Sequence, residues 1–147
     1  MPASSLTKFQ DFVEQLGKGV HNFSSNTFKI ALTNTAPTAA TNTVLADITQ
    51  ISTGGGYTAG AGGGYTLASV VWAETGGVAK LTIGDLVITA TGASVGPFRY
   101  AVLYNDTATS PADALIGFYD YGSALTLADT ETLTIDFDGA AGVLTVT

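Results

Sequence analysis

Histidine, serine and carboxylate side chains carry most hydrolytic chemistry, and this chain of 147 residues has one histidine, His21. Nucleophilic catalysis needs an imidazole that is held by an acid and aimed at a nucleophile. Nothing in the sequence places His21 beside such a pair, and we do not predict a nucleophile elbow of the G-x-S-x-G type. We therefore predict no catalytic residue, a loop histidine that bonds to the backbone, and a protein that is not an enzyme.

Two glycine triplets lie close together in the segment 53–66, which contains the sequence GGGYT twice. A phosphate-binding loop needs a Lys followed by Ser or Thr and then a helix, and we expect neither here. Glycines in this number are typical of a long loop with positive φ angles, and loops often carry binding functions. We predict a surface loop, with Tyr57 and Tyr65 as anchors or as contacts to a partner.

Metal sites are restricted by the composition. The chain has no cysteine, which excludes disulfides and zinc–thiolate sites, and its single histidine excludes a site built from several imidazoles. Asp136 and Asp138 lie two residues apart, with Asp129 and Glu131 upstream. Their oxygens could bind calcium, although the spacing does not match the twelve-residue calcium loop. Solvated acids at a strand edge are the alternative, and we predict no metal and no cofactor.

Aromatic side chains could form a platform for a sugar ring or a base, since Trp72 and several tyrosines are present. In an all-β chain, however, aromatic residues at alternating positions are typical of a core. Four residues alternate along one predicted strand: Phe98, Tyr100, Val102 and Tyr104. We predict that these four share one strand face and belong to the core.

The chain is acidic, with a net charge of −7 when the histidine is neutral. Residues 1–80 carry four bases and four acids, so residues 81–147, with one base and eight acids, hold all of the net charge. Such a surface repels phosphate groups, and we predict no binding to nucleic acid or to membranes. The one base of that region is Arg99. We predict that it forms an ion pair, with contact to a partner subunit as the alternative.

Residues 4–17 are the one helical candidate. Apolar residues recur there at spacings of three and four, which gathers them on one face: Leu6, Phe9, Val13 and Leu16, with Phe12 beside them. A serine at position 4 or 5 could cap the start, and a glycine at 17 or 19 could end the helix. A helix this short must dock its apolar face. It packs either on the rest of the domain or, as an arm over residues 1–19, on a partner through Leu6, Phe9 and Phe12.

Beyond residue 19 the apolar period changes to two, which predicts short strands. The predicted strands are 28–32, 68–74, 78–83, 85–91, 98–105, 114–121, 132–137 and 143–147. No helical stretch separates them, which disfavours parallel pairing. We predict an all-β fold, an antiparallel β-sandwich or jelly-roll-like domain with one short N-terminal helix, and a single domain over residues 1–147. Since no apolar run is long enough and no basic n-region is present, we expect neither a transmembrane helix nor a signal peptide.

Several segments of the sequence together resemble a known group of proteins. They are NTFKIALTNTAP at 26–37 with VLADIT at 44–49, GPFRYAVLYNDT at 96–107, and LIGFYDYG at 115–122 with the closing DFDGAAGVLTV. This arrangement resembles small virion proteins of tailed bacteriophages, some of which are similar to capsid decoration, or cement, proteins. The resemblance covers residues 20–147, and its motifs are structural rather than catalytic.

The resemblance implies a structural role on the outside of a phage capsid. There the protein would bind the lattice of the major capsid protein and stabilise it, and many copies on one closed lattice need only a modest interface each. The resemblance also implies a homo-oligomer, for which a trimer is one form, located in the virion after synthesis in the host cytoplasm. A tail, neck or host-binding virion component is the alternative. The expected binding parts are the N-terminal segment, the glycine-rich loop and the strand edge near 105–113.

Overall fold

The computed structural model describes residues 5–147, and within that range the chain forms strands that pair antiparallel throughout. The strands are β1 (Thr7–Lys8), β2 (Phe28–Thr33), β3 (Tyr65–Thr66), β4 (Val71–Thr75), β5 (Val78–Thr82), β6 (Leu86–Thr89), β7 (Val95–Asn105), β8 (Leu115–Leu127), β9 (Thr132–Ile135) and β10 (Leu144–Val146). The helix α1 is Gln10–Gly17, and a short 3-10 helix covers Leu45–Asp47. The prediction of an antiparallel all-β fold with one short helix near the N-terminus is confirmed.

The strands form three sheets that pack as layers. The main sheet has the order β1-β8-β7-β2-β3, and the smaller sheets are β10-β5-β4 and β6-β9. The larger hydrophobic cluster lies between the main sheet and the two smaller sheets, which gives the sandwich-like arrangement. A second cluster covers the opposite face of the main sheet and includes Phe9, Leu45 and Ile48. The main sheet is therefore buried on both faces. No helix among residues 5–147 is long and apolar enough to cross a membrane.

Strand β7 shows the effect of this double burial, because all residues from Tyr100 to Asn105 are buried. The prediction that Phe98, Tyr100, Val102 and Tyr104 are buried is confirmed, but the prediction that they share one face is wrong. Phe98 belongs to the larger cluster, whereas Val102 and Tyr104 belong to the second. The pairing with β8 is irregular between Phe98 and Tyr100, and such an irregularity changes the face on which later side chains lie.

The N-terminal prediction needs three corrections. The helix begins at Gln10 rather than at residue 4, and Thr7–Lys8 form β1, which pairs with β8. The position before the helix is held by Phe9, which has an extended backbone and no capping side chain, so Ser5 is not the cap. The other proposed cap, at residue 4, lies outside the described residues. The buried residue of the helix is Phe12, whereas Val13, predicted in the apolar face, is 62% exposed.

The glycine-rich segment 53–66 packs closely on the main sheet and is less of a surface loop than predicted. Tyr57 is buried, and its hydroxyl accepts a hydrogen bond from the Leu32 N–H at 3.0 Å. The segment ends in β3, which pairs with β2. Gly64 has φ +87°, and a Cβ atom at this position would collide with the carbonyl of Ile30. The close backbone approach of the segment to β2 therefore requires glycine at this point.

This close approach can be tested with two alanine substitutions. Gly60 has a similar φ, +99°, but open space around it. Gly60→Ala adds the left-handed backbone strain alone, about 1 kcal/mol. We expect Gly64→Ala to lower the free energy of unfolding by a further 1–3 kcal/mol, roughly, because β3 must move away from β2. Denaturant unfolding of both variants measures the difference, and equal destabilisation would contradict the close packing.

Candidate functional site

A network of polar side chains is buried where β7 ends, at Asn105. The Asn105 amide nitrogen lies 2.9 Å from Asn26 Oδ1, 3.3 Å from the Val20 carbonyl and 3.2 Å from His21 Nδ1. The side-chain oxygen of Asn105, Oδ1, accepts hydrogen bonds from the backbone N–H groups of Thr107 and Ala108. Because Asn105 has no exposed surface, these bonds replace water and fix the loops on either side of it.

His21 belongs to this network, and it bonds to a side chain where a backbone bond was predicted. It is 6% exposed and packs against the rings of Phe12 and Phe23. Nδ1 faces the donor amide of Asn105, so Nδ1 is the acceptor and the proton of the neutral ring sits on Nε2. Nε2 is buried and has no hydrogen-bond partner among residues 5–147. Burial lowers the pKa of His21 to about 4, and the nearby Asp11 opposes this shift.

An open polar hollow of about 460 Å³ lies beside the network. It is lined by Lys18, Gly19, Val20, Asn22, Asn26, Thr107, Ala108, Thr109 and Ser110. Amide and hydroxyl groups of this kind bind other hydroxyl-bearing molecules through hydrogen bonds. The hollow is therefore a candidate site for a small polar ligand.

A second, more apolar groove of about 560 Å³ lies where the second cluster reaches the surface, and we call it the 44–50 groove. It is lined by Val44, Leu45, Ala46, Ile48, Gln50, Gly60, Ala61, Ala112 and Asp113. Gln50 links the segment 44–50 to the glycine-rich segment. Its Nε2 donates to the Gly60 carbonyl at 3.1 Å, and its Oε1 accepts from the Tyr57 hydroxyl at 2.7 Å. The glycine-rich segment thus forms one wall of the groove.

Among residues 5–147, Asp113 is the one charged residue that lines the groove. Burial and the negative charge of Asp106 raise the pKa of the Asp113 carboxyl above its usual range, while the Gly62 N–H and Lys29 act in the opposite direction. Lys29 lies 3.4 Å from Asp106 and also donates to the Gly62 carbonyl. Lys29 is thus paired with Asp106, and it offsets the negative charge of Asp113 only in part. A cationic group placed at Asp113 would be favoured by this imbalance.

The predicted partner-binding residues fall into two groups in the structure. Three of these residues are buried within the chain and belong to its core: Phe9, Phe12 and Tyr57, at 0%, 2% and 1% exposure. Leu6 is half-buried and packs over Gly117. Tyr65 is half-buried, and its hydroxyl is buried without a hydrogen-bond partner. The burial of Phe9 and Phe12 within the chain does not support the interpretation of residues 1–19 as a binding arm.

Arg99 forms the predicted ion pair, and its partner is Asp120 on β8. Its Nε donates to Oδ1 at 2.7 Å and its Nη2 donates to Oδ2 at 3.0 Å, which is the paired geometry that suits a guanidinium. The hydrogen bonds from Arg99 hold the pKa of Asp120 below its usual range. Both side chains are about 40% exposed, so the pair stays accessible.

The acids proposed as a calcium site are exposed at a turn. Asp138 Oδ1 accepts the N–H groups of Ala140 and Ala141 at 2.8 and 2.9 Å, and these bonds lower the pKa of Asp138. Asp136 is exposed on the preceding segment. Residues 5–147 bring together no group of three or more His, Cys, Asp or Glu side chains that could hold a metal ion. The arrangement of Asp138 is that of a turn cap.

The prediction of no G-x-S-x-G pattern overlooked the letters of Gly92–Gly96, which read G-A-S-V-G. In an elbow the serine stands between a strand and a helix. Here Ser94 is exposed, and strand β7 follows it. His21 lies at Asn105, the other end of the 11-residue strand β7, which at about 3.3 Å per residue is roughly 35 Å away. The structure does not bring Ser94 and the histidine together.

The burial of His21 predicts a change of stability with pH. The folded-state pKa, about 4, is below the ordinary value of 6.5, so the unfolded chain binds a proton that the folded chain does not. Above pH 6.5 both states are neutral and His21 contributes no pH dependence. Between pH 6.5 and 4 the free energy of unfolding should fall by about 2–3 kcal/mol in total, and the loss should level off below pH 4.

Other carboxyl groups also titrate in this range, so the measurement compares the native chain with His21→Phe, which keeps an aromatic ring but cannot be protonated. Urea unfolding at several pH values should show that the native chain loses stability faster than the variant between pH 6.5 and 4. Parallel curves would contradict the buried neutral histidine.

Comparison with known proteins adds no assignment to these sites. The chain matches no protein-family model, no curated protein and no solved structure.

Proposed function

We propose that the chain is a non-enzymatic structural protein of a tailed-phage particle, which binds the outside of the capsid and stabilises it. Its partner is the lattice of the major capsid protein, its location is the capsid surface after synthesis in the host cytoplasm, and it acts as a homo-oligomer. The observation that carries the proposal is the 44–50 groove, because it combines an apolar surface with one half-buried carboxylate, that of Asp113.

The groove supports binding to a protein side chain better than it supports catalysis. Its walls are mostly apolar, and Asp113 is the one titratable group that lines it. A lysine or arginine side chain has an apolar stem and a cationic head, which match the walls and the carboxylate. The chain as a whole has a net charge of −7, which also favours a basic or neutral partner.

A host-binding or tail component is the second candidate, and the polar hollow favours it. Asn22, Asn26 and the hydroxyls of Thr107, Thr109 and Ser110 provide the donors and acceptors that a glycan would use. This function needs few copies per particle and no contact with the capsid lattice.

Copy number separates the two candidates. Quantitative mass spectrometry of purified particles, with heads and tails separated, should find hundreds of copies in the head fraction. A handful of copies, or copies only with tails, would exclude the decoration function and favour the host-binding one.

A substitution tests the groove itself. Ala46 is exposed and lines the groove, whereas Ala128 is exposed and lies before β9, outside the lining. Ala46→Arg adds bulk and a positive charge where we place the partner's cation, so it should lower binding to purified heads at least tenfold in co-sedimentation. Ala128→Arg is the matched control and should bind normally. Both are surface changes, so the free energy of unfolding should stay within about 0.5 kcal/mol. Equal binding by both variants would exclude the groove.

A further inference from the structure

The sheet β10-β5-β4 ends at β4, and no other strand among residues 5–147 pairs with its outer side. Edges of this kind expose backbone groups that pair readily with another strand, and proteins often block them with charged side chains, above all lysine, with proline or with a bulge. Strand β4 has the sequence VWAET, which contains one charged residue, Glu74, and no lysine, proline or bulge. Its residues are exposed except for Trp72, which is half-buried and packs against Phe23.

The direction of the backbone groups follows from the hairpin. Thr75 and Val78 flank the two-residue turn and are paired with each other, which makes them a hydrogen-bonded pair. Hydrogen bonding alternates along an antiparallel ladder, so Ala73 and Val71 also bond to β5. The N–H and C=O groups of Trp72 and Glu74 therefore face the open edge. These two residues offer four groups for pairing.

The charge of this region does not oppose association between copies, although the chain is strongly acidic. Residues 67–82 contain one acid, Glu74, and one base, Lys80. The Glu74 carboxylate is folded back and accepts the Gly77 N–H at 2.6 Å. Val71, on the edge strand itself, is 51% exposed and adds an apolar side chain to the open edge.

We propose that two copies of this chain pair antiparallel through their β4 strands, about a two-fold axis at Ala73. In this register Trp72 of one copy is opposite Glu74 of the other, and each such pair makes two backbone hydrogen bonds, four in total. A register centred on Glu74 would instead place like charges opposite each other. The pairing forms one continuous sheet of six strands, with the order β10-β5-β4-β4-β5-β10. It brings Val71 of each copy beside Thr75 of the other.

This inference makes the homo-oligomer of the proposed function specific, and it does not depend on the virion location. The contact is isologous and closes after two copies, so it assembles dimers rather than trimers. Association of the purified chain tests the pairing, whereas binding to heads tests the virion function. The two can therefore fail separately.

The absence of native cysteine allows a direct test of the register. Across a non-hydrogen-bonded antiparallel pair the Cα atoms are about 4.5 Å apart, which is within the range that a disulfide spans. Ala73→Cys should therefore form a disulfide-linked dimer under mild oxidation, seen on a non-reducing gel. Val71→Cys and Thr75→Cys should not crosslink alone, but an equal mixture of the two should. Equal crosslinking of all three single variants, or none by Ala73→Cys, would overturn the register.

Sedimentation of the unmodified chain provides the second readout. We expect a monomer–dimer equilibrium in which Ala73→Lys raises the dissociation constant at least tenfold, because two positive charges would meet at the axis. Val78→Lys, on the exposed face of the same hairpin but away from the edge, should dimerise as the unmodified chain does. A monomer at all concentrations, or a trimer, would overturn the proposal. Thermal unfolding of both variants confirms that they are folded.

Discussion

Strand β7 is buried on both faces from Tyr100 to Asn105, so its backbone groups must find partners within the protein. Strand β2 pairs with it along Phe28–Thr33 on one side, and β8 pairs with it on the other. Two-sided burial also requires two covering layers. The small sheets and the helix residue Phe12 cover one face, and Phe9 with the segment around Leu45 covers the other. The arrangement of the N-terminal region follows from this requirement.

At the end of β7 the chain leaves the sheet while it is still buried, so the polar groups there also need partners within the protein. The Asn105 side chain provides them by bonding to Val20, His21 and Asn26 on one side and to the following loop on the other. Next to it, Lys29 links Asp106 to the glycine-rich segment. Both cavities are bounded by loops that these polar groups fix. Their shape is therefore determined by buried hydrogen bonds as well as by apolar packing.

The sequence predicted seven of the eight longer strands to within three residues at each end, because period-two alternation and glycine or proline turns mark them, whereas β8 runs six residues beyond its predicted end at residue 121. It missed β1 and β3, which have two residues each and leave no periodicity. The burial of Tyr57 was also missed, since the sequence of an aromatic residue between glycines does not distinguish a loop that packs on the protein from one that lies exposed. The 44–50 groove as a whole was not predicted, because three separate segments form its walls, although the sequence analysis had named two of them, the glycine-rich loop and the region near 105–113, as binding parts. Arg99 was the exception among the sites, since its isolation among acids already indicated an ion pair.

The groove and the β4 edge lie on opposite sides of the main sheet. The groove opens from the second cluster, which contains Leu45 and Ile48, whereas β4 belongs to the sheet that covers the larger cluster. Pairing through β4 would therefore leave the groove of each copy open. A pair would present two grooves to one lattice, and the second contact would form within an already bound molecule. A weak single contact can then give stable attachment, so the proposed contact between each groove and one side chain of the lattice would be sufficient.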